Sequence, residues 1–179
     1  MKKYTMSKYI KTLWFKYINS YSYDYDKFCK LLSKNSIDVN ITDKHNFTAL
    51  MLACRDEQID VVKLLLEQPG ININYQGYVE TTALIIATKN RRLEISKLLL
   101  SRPEIDITLK EDNNMNFMGY IIMYNIDTSF LKDYNLQKTI IKNGRKDIIE
   151  FLDKYDLALY GILENSEDFI DAYEWGLLS

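Results

Sequence analysis

A chain of 179 residues, 47% of them hydrophobic, can bury a sizeable core as one domain or one short stack of repeating units. Its formal net charge of −2 argues against the broadly basic surface that a dedicated nucleic-acid binder needs. Six Gly and two Pro exclude long flexible linkers and collagen-like composition.

The first predicted element is a helix rich in lysine and aromatic residues. In "MKKYTMSKYIKTLWFKYINS", Lys8, Lys11 and Lys16 interrupt every apolar stretch, so no signal-peptide core of about 7–15 apolar residues forms. No segment reaches the roughly 20 apolar residues of a membrane span, and a cytoplasmic protein is the expectation. From Met1 to Tyr23 the only charges are Lys2, Lys3, Lys8, Lys11 and Lys16, interleaved with Tyr4, Trp14, Phe15 and Tyr17. Such a helix either caps a stack, with its apolar side inward and its lysines in water, or meets an anionic membrane or nucleic acid. Capping is the preferred reading. A second short helix follows, opened by Asp24 or Asp26 and carrying Phe28, Leu31 and Leu32. The cysteines Cys29 and Cys54 lack Cys-x-x-Cys or Cys/His spacing and are expected to be reduced, buried thiols. "NIT" at Asn40 and "NFT" at Asn46 match the glycosylation acceptor pattern, which means little without export.

The next stretch, "TALMLACRDEQIDVVKLLL" from Thr48 to Leu66, returns as "TALIIATKNRRLEISKLLL" from Thr82 to Leu100, 34 positions on. A period of this size is the mark of stacked helical repeats. Leu50, Ala53 and Cys54 share one helical face, and Val61, Val62, Leu64 and Leu65 form a second. Arg55 to Gln58 leaves room only for a tight turn between the two helices. Each helix is only about ten residues, marginal alone, so the pair needs stacked neighbours. "IDVN" at Ile37, "ININ" at Ile71 and "IDIT" at Ile105 keep the same period and read as very short extended pieces.

These residues resemble the ankyrin repeat family, whose unit carries a T-P-L-H-x-A signature and a Gly in the turn between its helices. Thr48 to Ala53 and Thr82 to Ala87 match at Thr, Leu and Ala, and depart at Ala49 and Ala83 for Pro and at Met51 and Ile85 for His. Glu57 and Arg91 stand at the turn Gly, which implies mild strain there. Asn46 and Asn114 stand at the finger Gly, where Asn tolerates the left-handed conformation. The implied architecture is an all-α ankyrin-type solenoid of helix-turn-helix units with short fingers between them. Its expected parts are an amino-terminal cap at about 8–40, clear repeats at 41–74 and 75–108, a degenerate repeat at 109–134, a further repeat at 135–155 and capping helices at 156–179. In the degenerate unit Asn116 stands for Thr and Ile121 for Ala, and the second helix shortens to about Ser129–Lys132. In the further unit Gly144 sits at the turn Gly.

The resemblance implies a non-catalytic protein–protein interaction module, recognising its partner with the fingers and the first helix of each unit. By position the first unit offers Thr42, Lys44, His45, Phe47, Arg55 and Asp56. The second offers Gln76, Tyr78, Val79, Thr81, Lys89 and Asn90. The third offers Lys110, Asp112, Asn113, Met115, Met123 and Tyr124. Phe47, Tyr78, Val79, Met115 and Tyr124 are the candidate anchors, since exposed aromatic and Met side chains dominate interfaces; for Phe47 and Tyr78, finger-to-finger packing is the competing reading. The alternative function is a membrane-surface or nucleic-acid-associated scaffold docking through the basic helix.

Nothing in the sequence asks for catalysis, a metal or a cofactor. The single histidine, His45, has no second His or Cys near it. "NGRKD" lacks phosphate-loop spacing, and "DNNMN" from Asp112 has Phe117 where a calcium loop requires Gly. No Ser or Cys comes with a His/acid pair. From Glu150 to Ser179 acids dominate, opposite in sign to the amino terminus. A monomer is expected, with head-to-tail self-association as the alternative those charged ends allow.

Overall fold

The computed structural model describes residues 8–18, 24–33, 37–133 and 136. The predicted further repeat, Leu136 apart, and the capping helices at 156–179 lie outside these residues, as do Lys2, Lys3 and the acidic run from Glu150. Among the described residues there are seven α-helices and no strand: α1 Lys8–Ile18, α2 Tyr25–Leu32, α3 Ala49–Arg55, α4 Ile59–Leu66, α5 Ala83–Lys89, α6 Leu93–Leu100 and α7 Phe117–Met123. A 3-10 turn, Thr128–Lys132, takes the place of a second helix in the third unit, as its shortened apolar stretch predicts.

Each first helix starts at a polar cap. The side chains of Thr48, Thr82 and Asn116 accept from the backbone N–H of Met51, Ile85 and Gly119, satisfying one orphan donor apiece. Asp24 does the same for α2 through Lys27, which settles the choice between Asp24 and Asp26. Helices of seven or eight residues hold little stability of their own, so packing between units has to hold them. Ala53 and Ala87 are fully buried where α3 meets α5, and Val61, Val62, Leu65 and Leu66 of α4 face Ile95, Leu99 and Leu100 of α6 in the layer behind. Leu64, expected on the apolar face, is only half-buried; Leu66 is buried instead.

At the amino-terminal end α1 packs on α2 and α3. Its Trp14 is fully buried with its ring 4.7 Å from that of Phe28, while Lys16 is exposed. Trp14, one of the four aromatic residues interleaved with the lysines, is therefore spent inside the core. Cys54 is also fully buried, which pushes its thiol well above the ordinary range. Cys29 departs from expectation in being only partly buried, and both thiols are free.

The inter-unit pieces depart from expectation too. Ile37–Asn40, Ile71–Asn74 and Ile105–Thr108 end in turns rather than running extended. Asp38, Asn72 and Asp106 each accept from the backbone N–H two residues on, closing a local ring that Asx side chains favour, while Val39, Ile73 and Ile107 are buried. Asn40 then reaches the next unit: its Nδ2 donates to the Gly70 carbonyl at 2.7 Å and its Oδ1 accepts from the Asn72 N–H at 2.7 Å. Asn74 repeats the clamp on the Glu104 carbonyl, 2.6 Å, and the Asp106 N–H, 2.8 Å.

The turns between paired helices put Glu57, Arg91 and Asn125 at φ of 58°, 56° and 45°. The first two are the strained non-glycine positions that the missing turn Gly predicts. At the fingers Asn46 and Asn114 take φ of 62° and 65°, again as read from the sequence.

Candidate functional site

Three fingers lead into α3, α5 and α7. Each is closed at its base by one backbone bond of 2.9 Å, from Asp43 to Phe47, from Gly77 to Thr81 and from Glu111 to Met115. In the first, Asp43 Oδ1 also accepts from the N–H groups of His45 and Phe47, leaving Lys44 and His45 exposed at the tip. The second finger differs from its neighbours. Its tip, Tyr78–Glu80, puts two consecutive residues, Val79 and Glu80, at positive φ. Val79, with φ 51° and ψ 33°, holds a conformation that a β-branched side chain opposes. The tip stays in place because Asp112 N–H donates to the Val79 carbonyl and Gln76 Nε2 donates to the Glu80 and Lys110 carbonyls. Beneath it, a Cβ on Gly77 would come within 2.5 Å of the Asn46 carbonyl oxygen, so only glycine lets the second finger lie against the first. The result is a pinned turn that presents Tyr78 at 61% exposure and Val79 at 40%.

At the ends of the first helices the three units diverge. Arg55 forms a two-pronged pair with Asp56, at 2.8 and 3.0 Å. Lys89, at the same register one unit on, reaches back to Glu111 with 3.2 Å to both carboxylate oxygens. Glu111 is almost fully buried and also receives the Tyr120 hydroxyl. Burial pushes its carboxyl up, but hydrogen bonds from Thr81, Tyr120 and Lys89 and the charge of Lys89 outweigh that, so it lies below the ordinary carboxylate range. The Lys89 ammonium lies 4.8 Å from the centre of the Tyr120 ring, which stacks on Tyr124 at 5.6 Å. Met123, the next in register, has no charge and is 63% exposed, beside Ile122 at 56%.

The predicted site residues thus divide. Lys44, His45, Tyr78, Val79, Asp112 and Tyr124 are exposed. Phe47 is half-buried against the core with its ring 6.4 Å from Tyr78, so it supports the fingers more than it offers a free face. Gln76 spends its amide on two carbonyls, Asn90 donates to the Ile86 carbonyl, and Asn113 bonds the Tyr120 hydroxyl and the Met115 N–H. Met115 lies over α7, where a Cβ on Gly119 would come within 2.8 Å of its Cε; it replaces the side chain that Gly119 lacks. Arg55, Asp56 and Lys89 are present as ion pairs.

The 34-residue spacing of caps, turns and fingers is that of one family. A family model for ankyrin repeats, three copies long, matches residues 18–111, just over half of the chain. The chain belongs to the ankyrin repeat family. Ankyrin repeats are generally protein–protein interaction modules and generally non-catalytic, and the all-α repeat architecture seen here is theirs. Among curated proteins none matches the sequence. Among the described residues no helix is long and apolar enough to cross a membrane, and no group of three or more His, Cys, Asp or Glu is placed to hold a metal ion.

Two parts of the ankyrin surface escaped the sequence. Ile122 falls at the register of Cys54 and Thr88, both buried, so its exposure ran against the repeat. Glu111 falls at the register of Asp43 and Gly77, an acid and a glycine that make no such contact, and its own contact with Lys89, 22 positions away, left no local signal.

Proposed function

We propose that this ankyrin repeat chain is a non-catalytic module that binds a partner protein across its fingers and first helices. The observation that carries the reading is the pinned second finger. A β-branched residue in the left-handed region costs about 1–2 kcal/mol, and this finger bears that cost while presenting Tyr78 and Val79 to solvent. A preordered aromatic tip binds without first losing conformational freedom, which is where much of an interface's affinity is otherwise spent. The exposed Lys44 and His45 on the first finger and Tyr124 at the carboxyl end of α7 extend the surface to either side. The two free thiols suit a reducing compartment, so a monomer acting in the cytoplasm completes the reading.

The test is affinity capture from the lysate of the cell that makes the protein, with wild type and a Tyr78→Ser, Val79→Ser variant as baits. Both substitutions fall on exposed side chains, and circular dichroism checks the fold. A protein retained by wild type and lost by the variant supports the reading. Equal retention by both baits removes the fingers from it.

A further inference from the structure

The three fingers do not hold their shapes by the same means. The first and third are closed by their own side chains: Asp43 Oδ1 accepts from the N–H groups of His45 and Phe47, and Asn113 Oδ1 accepts from that of Met115. Each of these fingers has one residue at positive φ, Asn46 or Asn114, and Asn tolerates it. The second finger, residues 76–81, contains no Asp or Asn. Glu80 stands at the register of those two asparagines, and both it and Val79 take positive φ. The bonds that hold this pair come from the third finger. Asp112 N–H donates to the Val79 carbonyl at 3.1 Å, and Gln76 Nε2 donates to the Lys110 carbonyl at 3.0 Å as well as to the Glu80 carbonyl at 3.1 Å. The third finger is anchored in turn to α7, where Asn113 Nδ2 donates to the Tyr120 hydroxyl at 2.8 Å and that hydroxyl donates to Glu111. Hydrogen bonds thus run from α7 through the third finger to the tip of the second.

We infer that the third unit positions the second finger for recognition: Gln76 and the backbone of residues 110–112 hold Tyr78 and Val79 in their exposed arrangement, and Tyr120 holds that backbone to α7. The inference rests on the proposed binding function and deepens it. Two neighbouring residues in the left-handed region, one of them β-branched, persist only where their surroundings impose it. The second finger has no side chain of the type that does this for its neighbours, so release of the third finger frees the tip. Coupling of this kind is reciprocal. A partner that grips Tyr78 in its pinned form stabilises the third unit by the same factor with which that unit favours binding. Recognition at the second finger is therefore open to adjustment from α7, at residues that touch no partner.

The test is limited proteolysis of the full chain with chymotrypsin, with scission of the Tyr78–Val79 bond followed by mass spectrometry. A protease acts on the opened tip, so the rate reports how often the tip is released. Gln76→Glu keeps the size of the side chain but loses its donors, and should speed scission about tenfold, as the loss of one or two hydrogen bonds does. Tyr120→Phe removes the hydroxyl that bonds Asn113 and Glu111 and keeps the buried ring; it should speed scission of the same bond about threefold. Cleavage after Phe28, buried in α2 at the amino-terminal end, is the reference and should not change. A Tyr78–Val79 rate that ignores either substitution overturns the inference. So does an equal rise after Phe28, which reports a loss of stability throughout the stack. No partner takes part, so either of these results leaves the finger reading standing. Lysate capture that Tyr78→Ser does not reduce overturns the role in recognition instead, with the coupling intact.

Discussion

The two junctions between successive units are built on one backbone register with opposite chemistry. Where α3 meets α5 the contact is apolar and close: Ala53 and Ala87 are fully buried, and the charges there, Arg55 with Asp56 and Arg92 with Glu57, pair beside the contact with Arg55 and Glu57 about half exposed. Where α5 meets α7, Ile121 stands in place of the alanine, and a carboxylate, an ammonium and a phenol are drawn into the interface. The first junction gains by excluding water. The second holds a polar cluster whose worth depends on every member keeping its partner, because an unpaired buried charge costs more than the pair contributes. The same division runs through the layer behind, where α4 faces α6 as a full helix and the 3-10 turn at Thr128–Lys132 offers Phe130 and Leu131 alone.

The largest expected effect breaks the apolar junction. Leu65→Ala should cost about 2–5 kcal/mol, as deletion of a buried leucine from a layer that cannot collapse does. Leu131→Ala, in a single turn freer to relax, should fall at the low end of that range. Midpoints of urea unfolding give both values, and equal losses would contradict the distinction. Next in size, Glu111→Gln should cost about 1–3 kcal/mol, against roughly 1 kcal/mol or less for Asp56→Asn at the more exposed pair. The two should also differ in their response to acid. The Glu111 carboxyl is depressed in the folded state, so its contribution is fully present above the ordinary carboxylate value and is lost as pH falls through the folded one. Unfolding of wild type and Glu111→Gln across that range should show the gap between them closing as pH falls.

Smaller effects sharpen what the junctions share. Asn40→Ala and Asn74→Ala should each cost about 1 kcal/mol and resemble one another, because each clamp makes the same two bonds. A clear inequality would show that the polar junction depends on its clamp differently. Smallest of all, Glu57→Gly should raise the thermal midpoint by a degree or two. Relief of a left-handed residue, about 1 kcal/mol, is mostly offset by the lost pair with Arg92 at 2.6 Å.

What could be read in advance follows the same divide. The apolar junction is written as periodicity, since burial demands similar residues at every 34th position, and the helix pairs came from it; the strained turns at Glu57 and Arg91 and the left-handed Asn46 and Asn114 came from the family resemblance. The polar junction is written in departures from the period, and a departure says only that something differs. Lys89 was legible as a surface position, but not that it turns back to a buried Glu111. Tyr78 and Val79 were legible on their finger; the bonds that pin them involve Gln76, Lys110 and Asp112, whose roles depend on the neighbouring finger. Phe47 and Met115, picked out as anchors by residue type, are half-buried because a small neighbour or an open core edge drew them down.

The asparagine clamps have a consequence for how such a chain can change length over time. Each carboxamide seeks a carbonyl 30 positions ahead and an N–H 32 positions ahead. A single-residue insertion between Asn40 and Gly70 slides the donor and the acceptor out of step at once, whereas gain or loss of a whole 34-residue block brings an equivalent loop back to the same place. Genetic drift in this molecule is therefore quantised: duplication or deletion of complete units is the length change that the clamps accept.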